Sequence, residues 1–289
     1  KSLAASRQGP ATLTISEARV SLSYDTVTAT IPTVTGTIPV FDPPVETAEP
    51  VMLPCPELMP ALAQWSLADR ATPPVLHLCR HRATSMWAIH RTGIMRCQSN
   101  PLSEPVDASH LAVPAGCWTG WRTPTEYAPT ERRVRLSTVM PIKAVDKHAP
   151  PWSLHVNMWV PQIDSPFPPI RSLLTDGGLN WTGSRETLLQ AVHAVAALTD
   201  KTLNAVTVQT DGAGTAVVST PPTRATQRAE ARCPMDGSAG TTTVNVRQLS
   251  AVLGAMIDDN VQWIILPNGP VRLSTLDQRI VAIISPVTV

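Results

Sequence analysis

The stretch SRETLLQAVHAVAALTD, residues 184–200, sets the character of the last third of the chain. Ser184 stands where an N-cap hydroxyl can accept from free helical N–H groups. Behind it Leu188, Leu189, Val192, Val195 and Ala196 recur at the 3.6-residue period of one apolar face, so a helix ending near Asp200 is predicted. Ala205 to Gln209 then reads as a strand, Asp211-Gly-Ala-Gly214 as a turn, and Thr215 to Ser219 as the returning strand. After a polar loop around Pro221 to Gly240 the order repeats. Asn245 and Gln248 have the spacing of a capping box, and Leu249, Val252, Leu253, Met256 and Ile257 form the apolar stripe. Val261 to Leu266, a Pro267-Asn-Gly-Pro270 turn, Val271 to Ser274 and a last strand at Arg279 to Ile284 complete it. Two helix-plus-hairpin units in an α+β, strand-dominated protein built from antiparallel sheets are the expectation.

Outward from that region, strands dominate. Trp152, Leu154, Val156, Met158 and Val160 alternate with Ser153, His155 and Asn157, a period of two between Pro-rich edges at Pro150-Pro151 and Pro161 to Pro169. Val75 to Arg82, Ser85 to His90 and Arg132 to Ile142 are read as strands, and Gln98 to Thr130 as loop. Near the start, Leu13 and Ile15, then Val20, Leu22 and Tyr24, alternate with Thr and Ser. Six prolines between Asp42 and Pro60 mark an extended connection, followed by a short helix from about Glu57 to Asp69. The expected division is a Pro-broken β-rich part with an extended N-terminal arm, residues 1–165, and an α+β part, residues 166–289. Lys1 is read as a processed or fragment boundary.

The 289 residues are 43% hydrophobic but only 16% charged, with a net charge of +1. That balance gives no electrostatic signal for nucleic acid. Lys occurs only at Lys1, Lys143, Lys147 and Lys201. Sparse charge carried mostly by Arg suits surfaces covered by partner subunits, though a GC-rich coding bias produces the same composition. No apolar run approaches the ~20 residues of a membrane-spanning helix. Five cysteines at irregular spacing (Cys55, Cys79, Cys97, Cys117 and Cys233) argue for reduced thiols in an intracellular setting.

Candidate chemistry is thin. His77, Cys79 and His81 would share one strand face, with His90 and Cys97 downstream, and N and S donors suit zinc. No Cys-x-x-Cys knuckle accompanies them, so half-exposed histidines around a small buried thiol are the favoured reading. Trp118 and Trp121 could stack on a sugar or base, but with only Phe41 and Phe167 elsewhere, Trp must supply core bulk. Asp176-Gly177-Gly178, Asp211-Gly212 and Asp236-Gly237 lack the ligand offsets of calcium or phosphate loops and are read as turns. Arg132, Arg133 and Arg135 are read as one solvated strand face. No catalytic, cofactor-binding or metal residue is assigned, no cofactor is expected, and a non-enzymatic role is favoured.

The Thr/Val/Pro-rich arm from Thr12 to Pro56 and the Pro-flanked strands around Trp152 to Pro169 resemble, in style, capsid or capsid-surface proteins of non-enveloped viruses, especially double-stranded RNA viruses of fungi. The resemblance implies a structural protein of the virion, assembled in the host cytoplasm as a homo-oligomer. Its partners would be copies of itself and a capsid shell protein. The other function class is an intracellular ligand-binding β domain or hydrolase, with its site at Cys79 and His81 or at Trp118 and Trp121.

Overall fold

Short apolar runs cut by Gly, Pro and Asx turns cannot reach helix length, and in the computed structural model they pair as antiparallel strands. The structure describes residues 11–15, 19–24, 27–32, 44–67, 74–90, 92–118, 124–142, 152–167, 177–199, 203–221, 228–266 and 269–288. It divides into two units, residues 1–43 and 44–289. In the first, β1 (Ala11–Ile15), β2 (Arg19–Tyr24) and β3 (Val27–Pro32) form an antiparallel meander with Leu13 opposite Leu22 and Val20 opposite Ile31.

The second unit repeats one order, strand, helix, then three strands. It begins with β4 (Val51–Met52), α1 (Met59–Leu67), β5 (Val75–Arg80), β6 (Thr84–His90) and β7 (Gly93–Gln98). Next come β8 (Ser109–Pro114), a single 3-10 turn at Ala115–Trp118 in the helix position, β9 (Glu126–Pro129), β10 (Arg133–Ile142) and β11 (Trp152–Pro161). The third round is β12 (Leu179–Ser184), α2 (Arg185–Ala196), β13 (Ala205–Thr210), β14 (Thr215–Ser219) and β15 (Glu230–Gly237). The fourth is β16 (Gly240–Asn245), α3 (Val246–Ala255), β17 (Asn260–Ile265), β18 (Val271–Ser274) and β19 (Ile280–Ile284).

In every round the first strand pairs with the trio of its neighbour, and β12 also stays paired with β15 of its own trio. β4 adds to β9, β8 to β5, β12 to β17 and β16 to β13. Neither member of a pair has a complete sheet without the other, so the rounds are locked two by two. One further pairing joins the two pairs: β19 runs antiparallel to β7, from Ile280 opposite Cys97 to Ile284 opposite Gly93.

The α+β, strand-dominated class and both C-terminal helices stand as expected. The stretch from Gln98 to Thr130, read as loop, contains β8 and β9, and the polar loop from Pro221 to Gly240 contains all of β15. The Pro-rich connection is tied down from residue 46 onward. Glu46 bridges to Thr130, Thr47 N–H donates to Pro129 O at 2.9 Å, and Leu53 N–H donates to Thr125 O at 2.8 Å. Residues 42 and 43 of that connection lie outside the described residues.

Sheet and helices meet over one apolar face. Leu76, Leu78, Met86, Ala88, Met95, Cys97, Ile280, Ala282 and Ile284 line it and belong to one core with Leu62, Trp65, Leu188, Val192, Leu249 and Leu253 of the helices. Trp181 and Trp263 stand opposite each other across β12 and β17, fully buried, with ring centroids 5.7 Å apart. Trp181 Nε1–H donates to Ser238 O at 2.7 Å, so the one polar atom of a buried ring is satisfied. Gly237, at φ 144°, closes β15 onto β12, and a Cβ there would collide with Asn180 O. Trp181→Ala should therefore cost about 3–5 kcal/mol, read as a lower denaturant midpoint. An unchanged midpoint would show that this pair is not the core of its module.

Candidate functional site

Three helices lie side by side in the order α1, α3, α2. Local sequence explains how each starts. Ser184 accepts from Thr187 N–H at 3.5 Å at the head of α2. Asn245 Oδ1 accepts from Arg247 N–H at 3.0 Å and Gln248 N–H at 3.2 Å at the head of α3. The reciprocal arm expected of a capping box is used elsewhere, because Gln248 Nε2–H donates to Thr92 Oγ1 at 2.6 Å, across to the β6–β7 turn. α3 is thereby attached to both pairs of rounds. A shallow groove of about 370 Å³ between α1 and α3 is lined by Ala61, Gln64, Trp65, Arg247, Ala251 and Gly254.

The exposed side chains of this row are mostly small or neutral. They are Gln64 and Leu67 on α1, Glu186, Gln190, His193 and Ala194 on α2, and Arg247, Ala251 and Gly254 on α3. Glu186 and Arg247 cancel. Arg185 is half-buried, with its guanidinium 3.5 Å from Leu253 O. The row is a smooth surface with little charge.

The opposite face of the β5–β6–β7 sheet carries the titratable cluster. His77, Cys79 and His110 share that face, since Cys79 stands opposite His110 in the β5–β8 register. His77 Nδ1 lies 2.9 Å from His110 Nε2 and the two rings stack at 5.2 Å. Phe167 presents its edge to His77, His110 and Trp87 at 5.4–5.6 Å. Burial, then the neighbouring His110, pulls the His77 imidazole down to about 4. Burial pushes the Cys79 thiol up to about 11, which opposes a thiolate ligand or nucleophile. His81 lies past the end of β5, exposed, with Nδ1 2.8 Å from Val106 O, so it does not join His77 and Cys79. Among the described residues no group of three or more His, Cys, Asp or Glu side chains is placed to hold a metal.

The other sequence candidates disperse. Cys97 is in the core and Trp118 is buried there with it. Trp121, Asp176 and the side chains of His90 and Trp152 lie outside the described residues. Asp211 Oδ1 accepts from Ala213 N–H at 2.7 Å, an Asx turn between β13 and β14. Arg135, read as part of a solvated face, pairs with Glu46 at 3.1 Å. His110 and Phe167 were not singled out by sequence, because each reaches the cluster only through long-range packing.

No protein-family model matches the sequence, and no curated protein is significantly similar to it. Solved structures do match. The chain is similar to a DNA polymerase sliding clamp from Pseudomonas aeruginosa (TM-score 0.68, 15% identity), covering 96% of this chain and 76% of that one. It is similar to a putative DNA polymerase III beta subunit from Eubacterium rectale (TM-score 0.70, 12% identity), over 96% and 76% of the two chains. The beta subunit from DNA polymerase of Streptococcus pyogenes gives a TM-score of 0.68 at 14% identity over the same shares.

The fold is thus that of sliding clamps, which corrects the capsid reading. With it fall the virion location, the host-cytoplasm assembly of a particle, the capsid shell partner, and the inference from net charge that nucleic acid is no partner. Sparse charge and Pro-rich edges are features of composition that unrelated folds share, so they do not single out a capsid subunit.

The histidine pair yields a pH test. His77 has a folded value below its unfolded one, so its contribution is full above about pH 6.5 and is lost as pH falls toward 4. Lowering the pH from 7 to 5 should remove on the order of 2 kcal/mol through this group. A His77→Gln chain should show a flatter stability–pH curve over that window; equal slopes would place the loss elsewhere.

Proposed function

We propose that this chain is a subunit of a clamp that closes into a ring around duplex DNA and serves a DNA polymerase. The reading is carried by the locked strand–helix–three-strand pairs, with their continuous row of helices, in a fold shared with sliding clamps. Two modules, residues 44–167 and 177–288, are consecutive parts of the ring in this proposal, and the division drawn between residues 165 and 166 lies just inside the end of the first. The ring is a homo-oligomer, and the protein works where DNA is copied.

Ring growth follows from the β7–β19 joint. One strand edge accepts another in antiparallel register, and within residues 44–289 no described strand pairs with the outer edge of the ten-residue β11. A free edge of that length is a template for a further strand. A helix row with one Glu and one Arg exposed makes few phosphate contacts. Retention on DNA therefore comes from encirclement, and the neutral helices let the duplex pass with little friction.

Two measurements test this. The native mass should be a small multiple of the 31.0 kDa chain. Protein assembled on nicked circular duplex should stay bound through gel filtration and leave when the circle is cut, with a salt slope of only about −1 to −2. A monomer that ignores the difference between circular and linear DNA would contradict the proposal.

A further inference from the structure

Cys55, Cys97 and Arg279 meet where the two modules join, although 224 residues separate the first from the last. Cys55 occupies the turn between β4 and α1 in the left-handed region, at φ 45° and ψ 62°. A side chain other than Gly, Asn or Asp is uncommon there and is strained. That conformation turns its sulfur toward β7 and β19. Arg279 Nη2–H donates to Cys55 Sγ at 3.1 Å. The arginine is itself held in place, for its N–H donates to Asp277 Oδ1 at 2.9 Å and its carbonyl accepts from Gln98 N–H at 2.9 Å. Cys97 comes from the core face of β7, with Sγ 3.6 Å from Pro54 O, and Cys55 Sγ lies 4.0 Å from the carbonyl of Gln98, the residue after Cys97, so the two thiols are neighbours.

We propose that Cys55 and Cys97 form a peroxide-responsive dithiol, in which Cys55 is the attacking sulfur, Cys97 the resolving one, and Arg279 the positioning residue for the thiolate. The environments divide the two roles. The hydrogen bond from Cys97, together with Arg279, outweighs burial and draws Cys55 down to about 7, while burial and the adjacent Cys55 push Cys97 well up. Cys55 is 5% exposed and Cys97 fully enclosed, so Cys55 is the nearer of the two to solvent. Cys79, Cys117 and Cys233, which burial pushes up, have no such partner for ionisation.

The chemistry balances with hydrogen peroxide as oxidant. The Cys55 thiolate attacks one peroxide oxygen, an S–O bond forms, the O–O bond breaks, and the departing hydroxide takes a proton to become water. Cys97 sulfur then attacks the sulfenic sulfur, the S–S bond forms, the S–O bond breaks, and the Cys97 proton leaves with the hydroxyl as a second water. Two thiols are oxidised by two electrons and one peroxide is reduced. The disulfide would staple the β4–α1 turn to β7 and leave Arg279 without its anionic partner at the module joint.

The test uses the full chain. Alkylation rate of Cys55 against pH, read by peptide mass, should show a midpoint near 7, and Arg279→Met should move it toward that of an ordinary thiol and slow the reaction at pH 7 about tenfold. Stoichiometric peroxide followed by alkylation under denaturing, non-reducing conditions should give a linked peptide containing Cys55 and Cys97. Cys79, Cys117 and Cys233 should be alkylated. In Cys97→Ser the Cys55 sulfenic acid should persist and be trapped by a cyclic diketone. A Cys55 midpoint above 8 in the wild-type chain, or oxidation mapping to other cysteines first, would overturn the proposal even if the variants failed to fold.

Discussion

The backbone pairing of β19 with β7 is the constraint on which the rest of residues 44–289 depends. Five residue pairs, from Ile280 with Cys97 to Ile284 with Gly93, carry one sheet from the first pair of rounds into the second. Because side chains alternate across a strand, this register also decides which face receives the core: Met95 and Cys97 align with Ala282 and Ile280 beneath the helices. A slip of one residue would turn those side chains outward and expose the core of both modules. Side chains reinforce the joint at both ends. Gln248 reaches Thr92 on the helix side, and Arg96 Nη2–H reaches Gln278 O at 3.1 Å at the β18–β19 turn.

The joint also explains the division of labour between faces. Its helix side is filled by apolar packing and leaves an outer helix surface with almost no charge. Its other side is thinly covered: Trp87, Ile94 and Ile283 form a small separate cluster, with Arg96 5.3 Å from the Trp87 ring and Phe167 closing over the histidines. The helix side is thus a weakly charged surface backed by one continuous sheet.

Much of this was legible in sequence where the signal is local. The caps at Ser184 and Asn245 and the stripes behind them placed α2 and α3, alternation placed β11, and the Gly-containing turns placed β14 and β18 as returning strands. Strands whose partners lie far away were hidden. β8 and β9 lack a run of β-branched residues, and β15 includes Pro234 and three charged residues, so each reads as loop until a neighbour supplies the ladder. The exchange of first strands leaves no periodic trace at all, and neither do the contacts of His77 with His110 or of Cys55 with Arg279. Low charge suited a partner-covered surface but did not lead to the sliding-clamp fold.

Hydrogen exchange resolved to single amides tests the joint most directly. If β19 and β7 are paired as described, the hydrogen-bonded amides of residues 93–98 and 280–284 exchange as slowly as those of the interior pair β13 and β14. If those two segments instead lose protection together and early, as free edge strands do, the modules are not joined through one sheet and the account of the molecule is wrong.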